Sequence, residues 1–325
     1  MAQQCLECNQ KHDPAMKNIS TLRYVLSAHQ LRSCLAILAV MSGVIGAPGD
    51  SVYVGSVVGN SIQVFDTSGS GSIFALVPSY ASGMAFDTFN NLYITDGDRN
   101  SIYRYGIDGS QTLFASTFPV PRAIVFNGMG GFYVTTGGSL IEKISADGSG
   151  SQFAQFDSVQ AVLALDKQGN LYVAAGEPGG FETIKKITPT GIASDFASGF
   201  TGGILGLAFD GIGNLFVAQN AERAIDKITL DGTVSVFAQT SFSLPGAIAI
   251  DSLDNLYVTS TAGNKIEKFT PDGTGSDFAS LLNGGPSTSI VIASVPEPSP
   301  RMLWLFIAVF MALRRFCFYC NAKPQ

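Results

Sequence analysis

Gly206-Leu207-Ala208-Phe209-Asp210-Gly211-Ile212-Gly213-Asn214-Leu215-Phe216-Val217 is the stretch on which the reading of this chain turns. The run from Leu205 to Phe209 is apolar and ends at Asp210. Gly211 to Asn214 then supplies turn residues, and Leu215-Phe216-Val217 starts a second apolar run. Further on, Ala224-Ile225-Asp226-Lys227-Ile228 alternates apolar with polar, as a half-buried strand does. Asp231-Gly232 is a hairpin signal, and Val234 to Ala238 gives a fourth strand.

The same sentence recurs along the chain. Its aromatic falls at Tyr53, Tyr93, Tyr133, Tyr172, Phe216 and Tyr257, in steps of 40, 40, 39, 44 and 41 residues. A Phe-Ala pair keeps the same beat at 74–75, 114–115, 153–154, 196–197, 237–238 and 278–279. The first turn of each unit starts with Asp87, Asn127, Asp166, Asp210 or Asp251, whose side chains can bond forward to the turn backbone. Its fourth position holds Gly, Asn or Asp, residues that tolerate positive φ. The second turn reads Asp-Gly at 108–109, 147–148, 231–232 and 272–273, with Ser68-Gly69 and Thr190-Gly191 as variants. Four short antiparallel strands per unit of about forty residues describe a propeller blade. The expectation is therefore all-β, a six-bladed β-propeller over residues 48–294. The array opens on second-strand sequence, Val52-Tyr53-Val54, and ends on an orphan strand, Ser289 to Ala293. The orphan can complete the first blade, three strands from one end of the array and one from the other, leaving no free sheet edge at the seam.

The 206–217 motif resembles NHL-repeat propellers and their relatives, the gluconolactonase/regucalcin-like and streptogramin-B-lyase-like proteins. The resemblance covers all six units at the level of strands and turns. The NHL pattern carries an Asp after its second strand; here only Asp96 stands there. The gluconolactonase resemblance implies a divalent cation such as Ca2+ in the central channel, held by carboxylate and amide oxygens. Asp96, Glu177, Asn220 and Asn264 are the residues that could hold it. The lyase resemblance implies a catalytic histidine inside the propeller, and the array has none.

Composition narrows the chemistry further. Both histidines (His12, His29) and all five cysteines (Cys5, Cys8, Cys34, Cys317, Cys320) lie outside the repeats. His-based triads, Cys nucleophiles and His/Cys metal sites are thus excluded from the array. Residues 48–295 carry 11 Lys and Arg against 22 Asp and Glu. Such an acidic body argues against nucleic acid and against electrostatic attachment to anionic lipid.

The two ends read as addresses. Residues 1–47 form a signal-peptide region, with Lys17, Arg23 and Arg32 ahead of the apolar or small stretch Cys34 to Ala47. Met16 is the expected start, with residues 1–15 as an extension. At the other end, residues 295–325 begin with the stiff linker Pro296-Glu297-Pro298-Ser299-Pro300. Twelve apolar residues from Met302 to Leu313 follow, then Arg314-Arg315. As a helix, that segment would reach only about 18 Å across a hydrocarbon core of about 30 Å. This order resembles the PEP-CTERM sorting signal, with Pro296, Glu297, Pro298, Arg314 and Arg315 as its marks. The resemblance implies an exosortase-type processing partner in a Gram-negative bacterium, transient membrane contact through 302–313, and an exported protein at the envelope or outside it.

Strand direction alternates, so the second-to-third and fourth-to-first connections share one face. That loop face gathers Tyr80, Asp96, Asp98, Arg99, Arg122, Glu177, Phe181, Glu182, Asn220, Glu222, Arg223 and Lys265 as ligand candidates. The longest insertion, Ala174 to Thr183, is the expected specificity loop. The carboxylates read most simply as a solvated rim, the Asp87-type residues as turn formers, and the repeated aromatics as packing between blades. The functional expectation is a monomeric, non-catalytic binding or scaffold module with no resident cofactor, for a surface polysaccharide, a peptide or an envelope protein. A divalent-metal-dependent lactonase or esterase and a structural matrix protein are the alternatives.

Overall fold

The computed structural model describes residues 50–176 and 182–293. The signal-peptide and sorting-signal readings, with Glu177 and Phe181, lie outside the described residues. Blade 1 holds β1 (Ser51–Ser56), β2 (Ser61–Phe65) and β3 (Gly71–Leu76). Blade 2 holds β4 (Gly83–Phe86), β5 (Leu92–Asp96), β6 (Ser101–Tyr105) and β7 (Gln111–Ser116). Blade 3 holds β8 (Ile124–Phe126), β9 (Phe132–Thr136), β10 (Leu140–Ile144) and β11 (Gly150–Gln155). Blade 4 holds β12 (Val159–Leu165), β13 (Leu171–Gly176), β14 (Glu182–Ile187) and β15 (Ala193–Phe200). Blade 5 holds β16 (Ile204–Phe209), β17 (Leu215–Gln219), β18 (Ala224–Ile228) and β19 (Val234–Gln239). Blade 6 holds β20 (Pro245–Ile250), β21 (Leu256–Ser260), β22 (Lys265–Phe269) and β23 (Gly275–Ser280).

The last strand, β24 (Ser287–Ala293), returns to blade 1 and pairs antiparallel with β1, Val54 facing Ile290 and Val52 facing Ile292. Six four-stranded sheets result, each antiparallel throughout. The closing strand starts two residues before the expected Ser289. Its first residues, Ser287-Thr288-Ser289, are polar, so apolar patterning does not mark its start. Ser287 and Ser289 are buried, and Ser289 Oγ donates to the Ala81 carbonyl at 3.1 Å, tying blade 1 to blade 2.

The two repeated marks of the sequence meet in every blade. The second-strand aromatic packs against the fourth-strand Phe of its own sheet: Tyr53–Phe74, Tyr93–Phe114, Tyr133–Phe153, Tyr172–Phe196, Phe216–Phe237 and Tyr257–Phe278. Centroid separations run from 4.6 to 5.2 Å, and most pairs are edge-to-face, the geometry that ring quadrupoles favour. A ring from the next blade joins four of these pairs: Phe86 on Tyr53, Phe132 on Tyr93 and Phe114, Phe209 on Tyr172, and Phe65 on Phe278. The aromatics are core packing, as expected.

The turns also follow their chemistry. Asp166 Oδ1 accepts from Gln168 N and Asn170 N, while Oδ2 accepts from Asn170 Nδ2 at 2.7 Å. Asp87, Asp210 and Asp251 repeat this pattern. The fourth turn position is left-handed in the five blades that have this turn: φ is 60° at Asn90 and Asp254, 90° at Gly130, 83° at Gly169 and 98° at Gly213. Neighbouring turns are linked across blades. Lys167 Nζ donates to Gly211 O at 2.5 Å, Gly211 N to Asp254 Oδ1 at 2.6 Å, and Ser252 N to Asp50 Oδ2 at 2.6 Å. Blades 4, 5, 6 and 1 thus share a hydrogen-bonded rim on this turn face.

Candidate functional site

The innermost strand of each blade faces the central axis. There a cavity of about 90 Å³ is ringed by Met84, Ile124, Val162, Leu207, Ile248 and Ile290, one from each blade. Glycine, alanine, serine and threonine fill the gaps, and no ionisable side chain lines it among the described residues. The inner strands crowd one another. A Cβ placed on Gly206 would lie 2.6 Å from the Gly246 carbonyl oxygen of the next blade. The channel is therefore a packed hub without an ionisable side chain among the described residues, and charged chemistry is left to the loop face above it.

On that face the expected residues divide in two. Tyr80 sits in the connection entering blade 2 and is half-buried, and Arg122, in the one entering blade 3, is exposed. Asp98, Arg99, Glu222, Arg223 and Asn264 are exposed on second-to-third hairpins, and exposed Lys265 opens β22. Arg99 pairs with Asp96 at 3.4 Å and Lys265 with Asp277 at 3.2 Å. Arg223 is held at φ 54°, where blades 1 and 2 place Asn60 and Asn100. A left-handed non-glycine residue costs of order 1 kcal/mol, a strain of the kind found at functional loops.

Asp96 and Glu182 depart from the expectation of a solvated rim. Both sit at strand ends and are buried, at 2% and 6% exposure. Asp96 accepts from Ser79 Oγ at 2.7 Å and from Arg99 N at 3.0 Å. Glu182 accepts from Gln160 Nε2 at 2.6 Å and from Ile204 N, the first residue of blade 5. Burial pushes its carboxyl above the usual range, against the two hydrogen bonds. Half-buried Asn220 bridges blades 5 and 6 through Pro245 O at 3.4 Å and Thr261 Oγ1 at 3.3 Å. These groups hold blades and loops together.

Sequence reasoning missed a second set of polar groups, one register position along the third strands. Each third strand carries an Ile with no exposed surface: Ile62, Ile102, Ile141, Ile184, Ile225 and Ile266. The residue after it is Gln63, Tyr103, Glu142, Lys185, Asp226 or Glu267. Gln63 Oε1 accepts from Leu282 N at 2.7 Å, and Glu267 Oε1 from Ser241 N at 3.1 Å. Both donors lie on the loop that enters the blade concerned. Aligning the six units on that Ile would have exposed the position. Asp226, 5% exposed, accepts from Gln219 Nε2. Burial raises its pKa, Gln219 lowers it and the neighbouring Glu222 carboxylate raises it again.

A raised folded-state pKa makes ionised Asp226 a cost to the fold at neutral pH. The stabilising share is complete below the unfolded value of about 3.9 and disappears as pH rises through the folded one. Asp226→Asn keeps an oxygen for Gln219 and removes the charge. The variant should melt higher than wild type at neutral pH, with the gap closing toward about pH 4. A gap of constant size across that range would show that the charge is not its origin.

Among the described residues, no three His, Cys, Asp or Glu side chains converge as a metal-binding group. Asp96, Asn220 and Asn264 come from different blades, and the bonds of Asp96 and Asn220 are made within the protein. The described residues therefore do not fit the channel cation that the sequence resemblance implies. What the loop face does offer is a cleft of about 280 Å³ on blade 6, between the loop that enters the blade and its second-to-third hairpin, lined by Phe242, Ser243, Ser260, Ala262, Gly263, Asn264 and Lys265.

No protein-family model matches the chain, and no curated protein matches it. Solved structures do. A gluconolactonase from Xanthomonas campestris superposes with a TM-score of 0.58 at 15% identity, over 73% of this chain and 87% of its own. Virginiamycin B lyase from Staphylococcus aureus gives 0.57 at 18% identity, over 73% and 83%. A calcium-binding regucalcin from Agrobacterium tumefaciens gives 0.54 at 12% identity, over 62% and 74%. At such identities the likeness shows the fold, a six-bladed all-β propeller shared with lactonase and lyase structures. Their activities belong to those proteins.

Proposed function

We propose that this chain is an exported envelope or extracellular propeller whose loop face binds a surface polysaccharide without catalysing its turnover. The observation that carries this reading is the cleft on blade 6, between its entry loop and its second-to-third hairpin. It sets an aromatic, Phe242, beside serine hydroxyls, the Asn264 amide and the Lys265 ammonium, a mixture suited to the apolar faces and hydroxyl edges of a sugar ring. Its volume of about 280 Å³ sits at the lower edge of small-ligand sites, about 300 Å³ and upward, which fits one or two sugar units. The cleft walls are stiff. Glu267 anchors the loop before Phe242 through Ser241, and Asn220 fixes Thr261. The Pro296-Glu297-Pro298 order, the apolar segment 302–313 and Arg314-Arg315 support export and processing by an exosortase-type enzyme.

Titration of the full chain on a glycan array, followed by calorimetry with each hit, tests the reading. Phe242→Ala and Asn264→Ala should each weaken binding by about tenfold or more, while Ile73→Ser on the outer strand leaves it unchanged. Retained affinity in both cleft variants would refute the assignment. The second reading, a metal-dependent lactonase or esterase, is favoured by the fold it shares with a gluconolactonase. It requires one tightly held divalent ion per purified chain and lactone hydrolysis that chelation abolishes. Finding both would replace the binding reading.

A further inference from the structure

We infer that the turn face, opposite the cleft, is a docking surface for an electrically neutral lipid bilayer. The third residue of the first turn is a large exposed apolar side chain in four blades: Phe89 at 85% exposure, Met129 at 78%, Ile212 at 75% and Leu253 at 75%. Turn tips take polar residues at little cost, and nothing in the turn hydrogen bonding uses these side chains; the turn backbone is already satisfied by the Asp carboxylates and, around Met129, by the Asn127 amide oxygen. On the second turns, Ile107 (82%) and Leu230 (74%) widen the same ring. The supporting rim is fixed by the turn-to-turn hydrogen bonds from Lys167 to Gly211 and from Gly211 to Asp254. The four apolar tips fall in two adjacent pairs on one face, on blades 2–3 and blades 5–6, with polar Lys167-Gln168 on the blade 4 turn between them, and so concentrate exposed apolar surface there.

The course of the chain says what covers it. Blade 1 has no first turn, because β1 begins at Ser51 and β24 ends opposite it at Ala293. Both flanks therefore join the domain at this gap in the ring, on the turn face. The N-terminal flank leads back to the signal-peptide stretch 34–47, and the C-terminal flank carries the apolar segment 302–313, which begins nine residues past Ala293. A lipid surface accepts the unprocessed C-terminal segment and the turn tips together. A second copy is disfavoured, because the face also carries Asp50, Asp87, Asp166, Asp210, Asp251 and Asp254, with exposed Asp66, Asp108, Asp147, Asp231 and Asp272 on the second turns, and would meet the same charges. Those carboxylates repel anionic headgroups too, so the bilayer is zwitterionic. Docked this way, the domain presents its tail at the membrane and its sugar cleft to the outside. The inference stands on the turn face and does not depend on what the cleft binds.

Vesicles of phosphatidylcholine, with and without phosphatidylglycerol, provide the test on the full chain. Wild type should co-sediment with the neutral vesicles, and the exposed-site variant Phe89→Ser/Met129→Ser/Ile212→Ser/Leu253→Ser should lose about tenfold or more of that partitioning with its melting temperature kept. Equal partitioning of variant and wild type, or no binding to neutral vesicles, would overturn the inference, as would binding only where phosphatidylglycerol is present. Trp304 is the only tryptophan in the chain, so Trp304→Phe with Phe89→Trp yields a local reporter. Its emission should shift blue and be quenched by lipid-borne quenchers only when vesicles are added. A blue shift without vesicles would mean that the chain's own tail or a second copy covers the ring, and would also overturn it.

Discussion

Ile290→Asp should destabilise the whole propeller by about 4 kcal/mol or more, lowering its melting temperature on the order of 10 °C. Ile290 is 8% exposed and lies at the middle of β24, facing Val54 across the ladder. It packs in one cluster with Val52, Val54 and Phe65 of blade 1 and with Ala249, Tyr257, Ile266 and Leu281 of blade 6 and its exit. A carboxylate placed there has no cation within the cluster, so it is buried unpaired or the strand leaves. If the strand leaves, β1 and the inner flank of blade 6 both lose their cover, and the ring opens at its only seam. Because every blade leans on two neighbours, the loss is felt as one cooperative transition. The control is Ile73→Asp on the outer strand β3, where the side chain is 49% exposed; it should cost within about 0.5 kcal/mol. Urea melts of both variants decide the matter. Equal midpoints would show that β24 does not close the ring.

That seam was legible in the sequence because it needed only counting. Six aromatic marks and a first unit lacking its opening strand forced the orphan strand near 290 into blade 1. The turns were legible for a local reason: Asp166 or Asp251 satisfies backbone N–H groups within four residues of itself, so the pattern carries its own explanation. The site was less legible. Asp96 and Glu182 read as rim charges, yet their partners, Ser79 and Ile204, lie 17 and 22 residues away in sequence, and in each case the bond is what permits burial. Gln63 and Leu282 are further apart still, 219 residues, and meet only because the ring closes. Polar residues whose purpose is to bond a neighbouring loop look, in one dimension, the same as polar residues waiting for a ligand. The ring of apolar turn tips was hidden for the opposite reason. Phe89 or Leu253 in a turn passes as an ordinary hydrophobe until its exposure is known.

Gly83→Ala should cost about 3 kcal/mol, although glycine to alanine in a strand ordinarily stabilises. A mid-strand glycine is unfavourable by roughly 0.5–1 kcal/mol relative to alanine, so its presence in β4 calls for a compensating contact. The contact is the neighbouring inner strand. A Cβ on Gly83 would stand 2.3 Å from the Arg122 carbonyl oxygen and 3.1 Å from Ala123 Cα and Ile124 N. All three are backbone atoms, which cannot swing aside as a side chain would. The same approach is held by Thr95, whose Oγ1 bonds Arg122 O and accepts from Gly83 N at 2.8 Å. The added methyl must push blades 2 and 3 apart at the hub, where the ring has least slack, and that displacement breaks the Thr95 bridge as well. Gly97→Ala serves as the comparison, since its nearest neighbours are an ordinary 3.4 Å away. It should be neutral or stabilising by a few tenths of a kcal/mol. Thermal and urea unfolding should therefore fall for Gly83→Ala and hold or rise for Gly97→Ala. If Gly83→Ala matched or exceeded wild type, the inner strands would not be in the close contact that packs the hub, and room for a ligand site in the channel would reopen.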